Sequence, residues 1–175
     1  MYVRYFDINC CGGDVRCRCI PYSFASVAHV GLEPSQATAN TTLTVAFRIG
    51  HGCAESPTTA VRISIPAGVS AVQPQPKAGW NVATKTGPLP AAPGAAANAA
   101  PATGVTEVSF TGGKLPHDFF DTFVLRFKVP NTPGTTVYFP VIQECEKGAN
   151  RWVEPMVAGQ PEPPQPMPGL RVVAP

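Results

Sequence analysis

The chain has 175 residues, which suits one domain with a hydrophobic core and additional tails. Charged residues make up only 14% of it and the net charge is +2, so the composition indicates neither a nucleic-acid-binding protein nor one that binds an acidic membrane surface. No run of about 20 apolar residues predicts a transmembrane helix, and the common nucleotide-binding, metalloprotease and serine-hydrolase motifs do not occur in the sequence.

Residues 1–28 have features of a leader that is removed on export. The small residues Ser26 and Ala28 resemble a signal-peptidase site, and cleavage after Ala28 would make His29 the first residue of the mature protein. Charged residues and four cysteines interrupt the region that should be apolar. The interrupted apolar region favours a mis-assigned start or a shifted reading frame. A metal-binding leader is less favoured, because the cysteine spacing fits no common zinc template. We expect the mature protein to be periplasmic or secreted.

The rest of the sequence predicts short β-strands separated by turns that contain proline and glycine. Apolar and polar residues alternate in most of these segments, which is typical of half-buried strands. Strands are predicted over 41–49, 59–65, 69–72, 80–83, 105–110, 122–129, 135–143 and 151–153. Roughly seven strands of this kind favour an all-β fold, namely an antiparallel β-sandwich that is immunoglobulin-like in the broad sense, with a small barrel as the alternative.

The composition divides the body of the chain into a domain, an insertion and a tail. Residues 29–157 are predicted to form the sandwich domain. Residues 86–104 are rich in alanine, proline and glycine and carry no charge, so they are predicted to be a flexible surface insertion. The pair Gly112 and Gly113 is expected to end the strand before it. Residues 158–175 are rich in proline and are predicted to fray as a tail.

Cys53 and Cys145 are the two cysteines of the predicted domain. In an exported protein they are most simply a disulfide, and a thiolate copper(I) site is the alternative. A disulfide here would bring His51, Glu55 and Trp152 into one neighbourhood.

A mature N-terminal histidine at position 29 would carry a free α-amine and an imidazole within one chelate ring. This pair of nitrogen donors suits copper(II), which favours tetragonal nitrogen and oxygen ligation. Without the cut, His29 has no free amine and is an ordinary residue at the start of a strand. Of the other candidate residues, Trp80 is predicted to pack over the sandwich edge and His117 to lie on the surface.

Several stretches together resemble the YcnI-like copper-binding domains, which are exported bacterial proteins. These stretches are HVGLEPSQA, FRIGHGCAESPTTAVRISIP, VQPQPKAGW, FTGGKLPHDFFDTFVLRFKVP, VYFPVIQECEKG and RWVE, and they cover most of residues 29–155. The resemblance implies a β-sandwich that holds copper(II) near its N-terminus in a single-histidine brace. By this resemblance, His29 is the brace histidine and Trp152 the nearby tryptophan. The acidic ligand corresponds to residues 51–55, where either His51 or Glu55 would serve.

The sequence therefore predicts a non-enzymatic copper(II)-binding protein, either a metallochaperone or a buffer, with other periplasmic copper-handling proteins as its partners. A copper oxidase of the histidine-brace type is an alternative, in which His51 would supply the second imidazole. A second alternative is an adhesion or carbohydrate-binding sandwich without a metal, in which Trp80 and Tyr138 would be stacking platforms.

Overall fold

The computed structural model describes residues 29–89 and 103–175. The leader predicted for residues 1–28 lies outside these ranges. The described residues form twelve strands: β1 (Gly31–Glu33), β2 (Gln36–Thr38), β3 (Thr42–Ile49), β4 (Thr58–Ser64), β5 (Ser70–Pro74), β6 (Asn81–Pro88), β7 (Thr103–Leu115), β8 (Asp121–Lys128), β9 (Thr136–Tyr138), β10 (Val141–Cys145), β11 (Ala149–Trp152) and β12 (Gly169–Val173). Within these ranges there is no helix that could cross a membrane.

Two sheets pack face to face and confirm the predicted β-sandwich. One sheet has the order β1-β3-β8-β5 and the other has the order β11-β10-β4-β7-β6, and all neighbouring strands within them are antiparallel. Phe110 on β7 meets Phe123 on β8, with the two ring centroids 5.1 Å apart. The apolar faces of the two sheets therefore close on each other and exclude water.

The alternating pattern of the sequence correctly predicts which side chains enter this core. Val45, Phe47 and Ile49 on β3 are buried, as are Phe123 and Leu125 on β8. Their polar neighbours point away because successive side chains of a strand lie on opposite faces. Burying one large apolar side chain contributes about 1.5–3 kcal/mol, so these strands supply much of the stabilising free energy.

The segment predicted to be a frayed tail instead completes the sandwich. β12 pairs in parallel with β2 and antiparallel with β9, in a third sheet of order β2-β12-β9. Leu170 and Val172 of β12 are fully buried. The prediction for residues 158–175 is therefore wrong, and the domain extends beyond residue 157. The prolines obscured a short run in which apolar residues alternate with polar ones.

The single strand predicted over 135–143 is divided between two sheets. β9 belongs to the three-stranded sheet and β10 to the five-stranded sheet, with Phe139 and Pro140 between them. The Phe139 N–H donates to the carbonyl of Pro168, and the carbonyl of Pro140 accepts from the N–H of Ser64. Since proline has no N–H to offer a ladder, the chain changes sheets at this point.

The predicted insertion is shorter than residues 86–104, because β6 and β7 pair on both sides of it. Thr86 lies opposite Val105 and Pro88 lies opposite Thr103. These residues therefore belong to a hairpin, and residues 90–102 lie outside the described ranges.

The two glycines that were expected to end a strand lie inside β7. Gly112 has a positive φ of 77°, and the register between β4 and β7 shifts nearby, which marks a bulge. A Cβ atom on Gly113 would lie 2.2 Å from Cε2 of Trp80. The indole thus covers this glycine and packs edge-on against Phe123, as predicted for a tryptophan at the sandwich edge.

Leu170→Ala is expected to lower the free energy of unfolding by about 2–5 kcal/mol, because it opens a cavity in a fully buried position of β12. Chemical denaturation measures the change. Arg171→Thr is the matched control, since Arg171 is exposed and threonine keeps the strand propensity; a change within about 0.5 kcal/mol is expected for it. Equal stability of the Leu170→Ala variant and the unaltered chain would show that the C-terminal strand does not belong to the folded unit.

Candidate metal centre

His29 is held at one end of the sandwich. It lies two residues before β1, the edge strand that pairs with β3. The next residue, Val30, is buried in the core, so the backbone is anchored directly after the histidine. The imidazole itself remains 30% exposed, which leaves it accessible to a ligand from solution.

Trp152, at the end of β11, contacts His29, as the family resemblance implies. The centroids of the two rings are 5.9 Å apart in an edge-on arrangement. Trp152 is only 2% exposed, and its indole N–H donates to Oε1 of Gln143 at 3.1 Å. The indole is therefore a fixed apolar wall on one side of the histidine.

Glu162 is the carboxylate that meets His29. Its Oε1 lies 3.2 Å from Nδ1 of the imidazole. Glu162 is not among the predicted ligands, because it lies in a proline-rich segment that was expected to fray. No local motif marks it, and its position follows only from the tertiary path of the chain.

The segment that carries Glu162 is tied down at its base. The N–H of Glu154 donates to the carbonyl of Gln165 at 3.0 Å, and the N–H of Met167 donates to the carbonyl of Glu154 at 2.9 Å. The side chain of Gln165 accepts a further bond from the N–H of Arg151. These bonds fix both ends of the loop next to β11 and so bring Glu162 toward His29.

His51 and Glu55 lie on the loop between β3 and β4. The half-buried His51 has Nδ1 at 2.5 Å from the carbonyl oxygen of Gly52. Glu55 is exposed and has a positive φ of 69°. In the part of the chain that the structure describes, no three histidine, cysteine, aspartate or glutamate side chains form a group that could hold a metal ion. The structure therefore does not bring His51 or Glu55 into a cluster with His29.

The predicted disulfide between Cys53 and Cys145 is confirmed. It joins the loop after β3 to the end of β10, and the bonded sulfurs leave no thiolates for the alternative copper(I) site. The loop beside it is closed by two backbone hydrogen bonds between Cys53 and Ser56, each donating to the other's carbonyl. The backbone around His51 is therefore held from both sides.

Gln143 on β10 connects the His51 loop with Trp152. Its side chain is 1% exposed, and Nε2 donates to the carbonyl of His51 at 2.6 Å and to Oγ1 of Thr58 at 2.8 Å. Its Oε1 accepts from the Trp152 indole. His51 and Trp152 are thus close together, as predicted. The buried amide of Gln143 joins them by hydrogen bonds, and no bound ion is required to explain their proximity.

His117 does not lie on the surface, contrary to the prediction. The residue is half-buried, and its Nδ1 is fully buried without a hydrogen-bond partner. Its ring centroid is 5.9 Å from that of His51. The prediction failed because the turn that carries His117 folds back against the loop of His51, where its Cα lies 3.4 Å from the position of a Cβ atom on Gly52.

One charged group on the five-stranded sheet has a shifted pKa. Nε of Arg62 donates to Oε1 of Glu144 at 2.7 Å, and this bond raises the pKa of Arg62 above its usual value. The pair joins β4 to β10 on the opposite face from Val61 and Ile63. It is half-exposed and stabilises the sheet only modestly.

The spacing at His29 fits two neighbouring ligands of one metal ion. Donor atoms that lie about 2.0–2.2 Å from an ion and at right angles to each other are about 3 Å apart. Nδ1 of His29 and Oε1 of Glu162 are 3.2 Å apart. Nitrogen and oxygen donors are the types that tetragonal copper(II) takes, and the same 3.2 Å separation is also that of an ion pair between the two side chains.

Comparison with known proteins agrees with this architecture. A protein from Nocardia farcinica, described as uncharacterized and as having an immunoglobulin-like fold, superimposes with a TM-score of 0.64 at 25% sequence identity. The match covers 85% of this chain and 99% of that one. No curated protein matches the sequence. The model of the family described as a domain of unknown function, DUF1775, matches residues 29–172, so the chain belongs to the DUF1775 family.

Proposed function

We propose that this protein is an exported copper(II)-binding protein that stores or delivers copper. The observation that carries the proposal is the cluster of His29, Trp152 and Glu162 at the start of the sandwich. The family match also starts at His29. YcnI-like domains belong to the same family, which supports a shared mode of copper binding.

The ion would be held by three donors of the mature chain. Cleavage before His29 supplies the α-amine, which forms a chelate ring with the imidazole, and Glu162 supplies a carboxylate oxygen next to Nδ1. Trp152 would cover one side of the ion and restrict access of water and reductants. Since the amine and imidazole must both lose protons to bind, copper uptake releases protons and weakens as the pH falls.

The disulfide supports an oxidising compartment as the place of action. Structural disulfides persist mainly in secreted and periplasmic proteins. A bond that joins the loop after β3 to the end of β10 would be at risk in a reducing cytosol. Export would also provide the cleavage that generates the amine of His29.

Exposure of the ligands supports a role in storage or transfer. The side chains of His29 and Glu162 are 30% and 54% exposed, so a partner protein can approach the ion without unfolding the domain. The oxidase alternative needs a second imidazole beside the first, whereas the group that contacts the imidazole of His29 is the carboxylate of Glu162. The geometry therefore favours copper handling over copper catalysis.

A chain that begins at His29 is expected to bind one equivalent of copper(II), with an electron paramagnetic resonance spectrum typical of tetragonal nitrogen and oxygen ligation. A chain that begins at Ser26 is the matched control, because its amine is displaced by three residues and cannot share a chelate ring with the imidazole. We expect its affinity to fall by more than about 100-fold. Equal affinities would contradict the proposed brace.

Glu162→Gln is expected to weaken copper(II) binding by about tenfold or more, because the amide is a neutral and poorer donor. Glu55→Gln is the control, since Glu55 is exposed and forms no cluster with His29. Titration against a competing chelator measures both variants. If Glu55→Gln weakens binding and Glu162→Gln does not, the carboxylate ligand has been assigned to the wrong residue.

A further inference from the structure

We propose that His51 and His117 form a second metal site, which binds one copper(I) ion between their imidazoles. The two ring centroids are 5.9 Å apart, and the ring planes are inclined by 56°. The site uses neither the amine nor the imidazole of His29, so it does not depend on the cleavage that the copper(II) site requires.

The hydrogen bond at His51 leaves one ring nitrogen free to bind a metal. Its Nδ1 lies 2.5 Å from the carbonyl oxygen of Gly52, and a carbonyl can only accept, so Nδ1 carries the proton. Nε2 then has the lone pair. Histidine ligands of metals commonly donate their other N–H to a backbone carbonyl in this way, which fixes the orientation of the ring.

His117 contributes the unexplained polar atom of this region. Its Nδ1 is buried and has no hydrogen-bond partner among the described residues. A buried polar atom without a hydrogen-bond partner destabilises the folded state, so such an atom requires an explanation. A metal ion bound at Nδ1 of His117, whose ring centroid lies 5.9 Å from that of His51, would offset this cost.

Both histidines have rigid backbones, as a preorganised site requires. The carbonyl of His51 accepts from Gln143, and the disulfide at Cys53 fixes the following residues. His117 lies in a turn closed by the bond from the Phe119 N–H to the carbonyl of Pro116. The backbone positions that carry the two rings are therefore held in place.

The geometry favours an ion that needs few ligands. With ligand nitrogens about 2.0 Å from a shared ion, rings at this separation subtend an angle of about 140° at the metal, which is much wider than a tetrahedral angle. No third histidine, cysteine, aspartate or glutamate joins the pair in the described ranges. Monovalent copper is satisfied by two neutral nitrogen donors in a wide arrangement, whereas calcium and magnesium require several oxygens.

Nitrogen NMR of the three histidines tests the site directly. The chain from Ser26 to Pro175 is used, because it contains all described strands, lacks the four leading cysteines and has a displaced amine. One equivalent of copper(I), kept reduced with ascorbate, is expected to shift the imidazole nitrogens of His51 and His117 but not those of His29. Copper(I) is diamagnetic, so all three signals remain visible. A shift at His29 alone, or at none of them, would overturn the proposal.

Competition with a chromophoric copper(I) chelator provides the second measurement. His51→Gln and His117→Gln are each expected to weaken copper(I) binding by more than about tenfold, while His29→Gln leaves it unchanged. Met156→Leu combined with Met167→Leu controls for thioether ligands, and loss of binding in that variant would overturn the assignment. Because copper(II) binding is measured separately on the chain from His29, failure of one site does not affect the test of the other.

Discussion

Replacement of both Cys53 and Cys145 by alanine is expected to lower the free energy of unfolding by about 4–5 kcal/mol. The bond closes a loop of 92 residues, and a cross-link of this span restricts the unfolded chain strongly. The loop contains the strands from β4 to β10, so the bridge constrains four strands of the five-stranded sheet and two of the four-stranded sheet. A loss of this size is a large fraction of the stability of an ordinary domain.

The local consequences of this replacement distinguish the two copper sites. Ala54 and Glu55 have positive φ values of 41° and 69°, which L-residues adopt at some cost and keep only when the surroundings hold them. Without the disulfide, the loop that carries His51 is expected to loosen. Copper(I) binding by His51 and His117 should weaken, while copper(II) binding at His29 should persist in the fraction that stays folded.

Denaturation with and without a thiol reductant measures the effect in the unaltered protein. Reduction is expected to lower the midpoint for the unaltered chain and to leave the double-alanine variant unchanged. The double-alanine variant has no bond between positions 53 and 145 to reduce, so it shows any other effect of the reductant on stability. If the variant unfolds at the same denaturant concentration as the oxidised protein, the disulfide does not stabilise the fold through chain entropy.

The strands that build the sandwich were predictable because apolar and polar residues alternate along each of them, which is a local feature of the sequence. In β3 and β8, apolar residues such as Phe47 and Phe123 occupy every second position, and all of them are buried except Leu43, which is partly buried. The disulfide was predictable because Cys53 and Cys145 are the two cysteines of the domain. These features depend on composition and local order, which a single sequence records.

The remaining features depend on where distant segments meet. Glu162 reaches His29 only because hydrogen bonds around Glu154 fold a proline-rich loop back over β11. His117 is half-buried because its turn packs against the loop of His51. Neither contact leaves a periodic or spaced pattern in the sequence. The contact between His29 and Trp152 was implied by the family resemblance, whereas the contacts of Glu162 with His29 and of His117 with His51 could not be predicted.

Gln143→Leu is expected to lower the free energy of unfolding by about 2–5 kcal/mol, although leucine is apolar and of similar size. The substitution leaves the buried indole N–H of Trp152 and the carbonyl of His51 without their partners. Each unsatisfied buried group costs about 1–3 kcal/mol. Asn150→Ala is the control, because the bond of Asn150 to Gln143 is long at 3.4 Å and the residue is half-buried. We expect a loss below about 1 kcal/mol for it.

The same substitution is expected to affect both proposed copper sites, since Gln143 is the shared support of Trp152 and the His51 backbone. In a Trp80→Phe background, the emission of Trp152 reports on its surroundings, and a red shift is expected when the indole loses its fixed partner. Copper(II) and copper(I) affinities should both decrease in the folded protein. The first site loses the hydrogen bond that orients Trp152, and the second loses the hydrogen bond that holds the backbone of His51. If Gln143→Leu keeps full stability and leaves both affinities intact, the buried amide neither supports Trp152 and the His51 backbone nor positions either site.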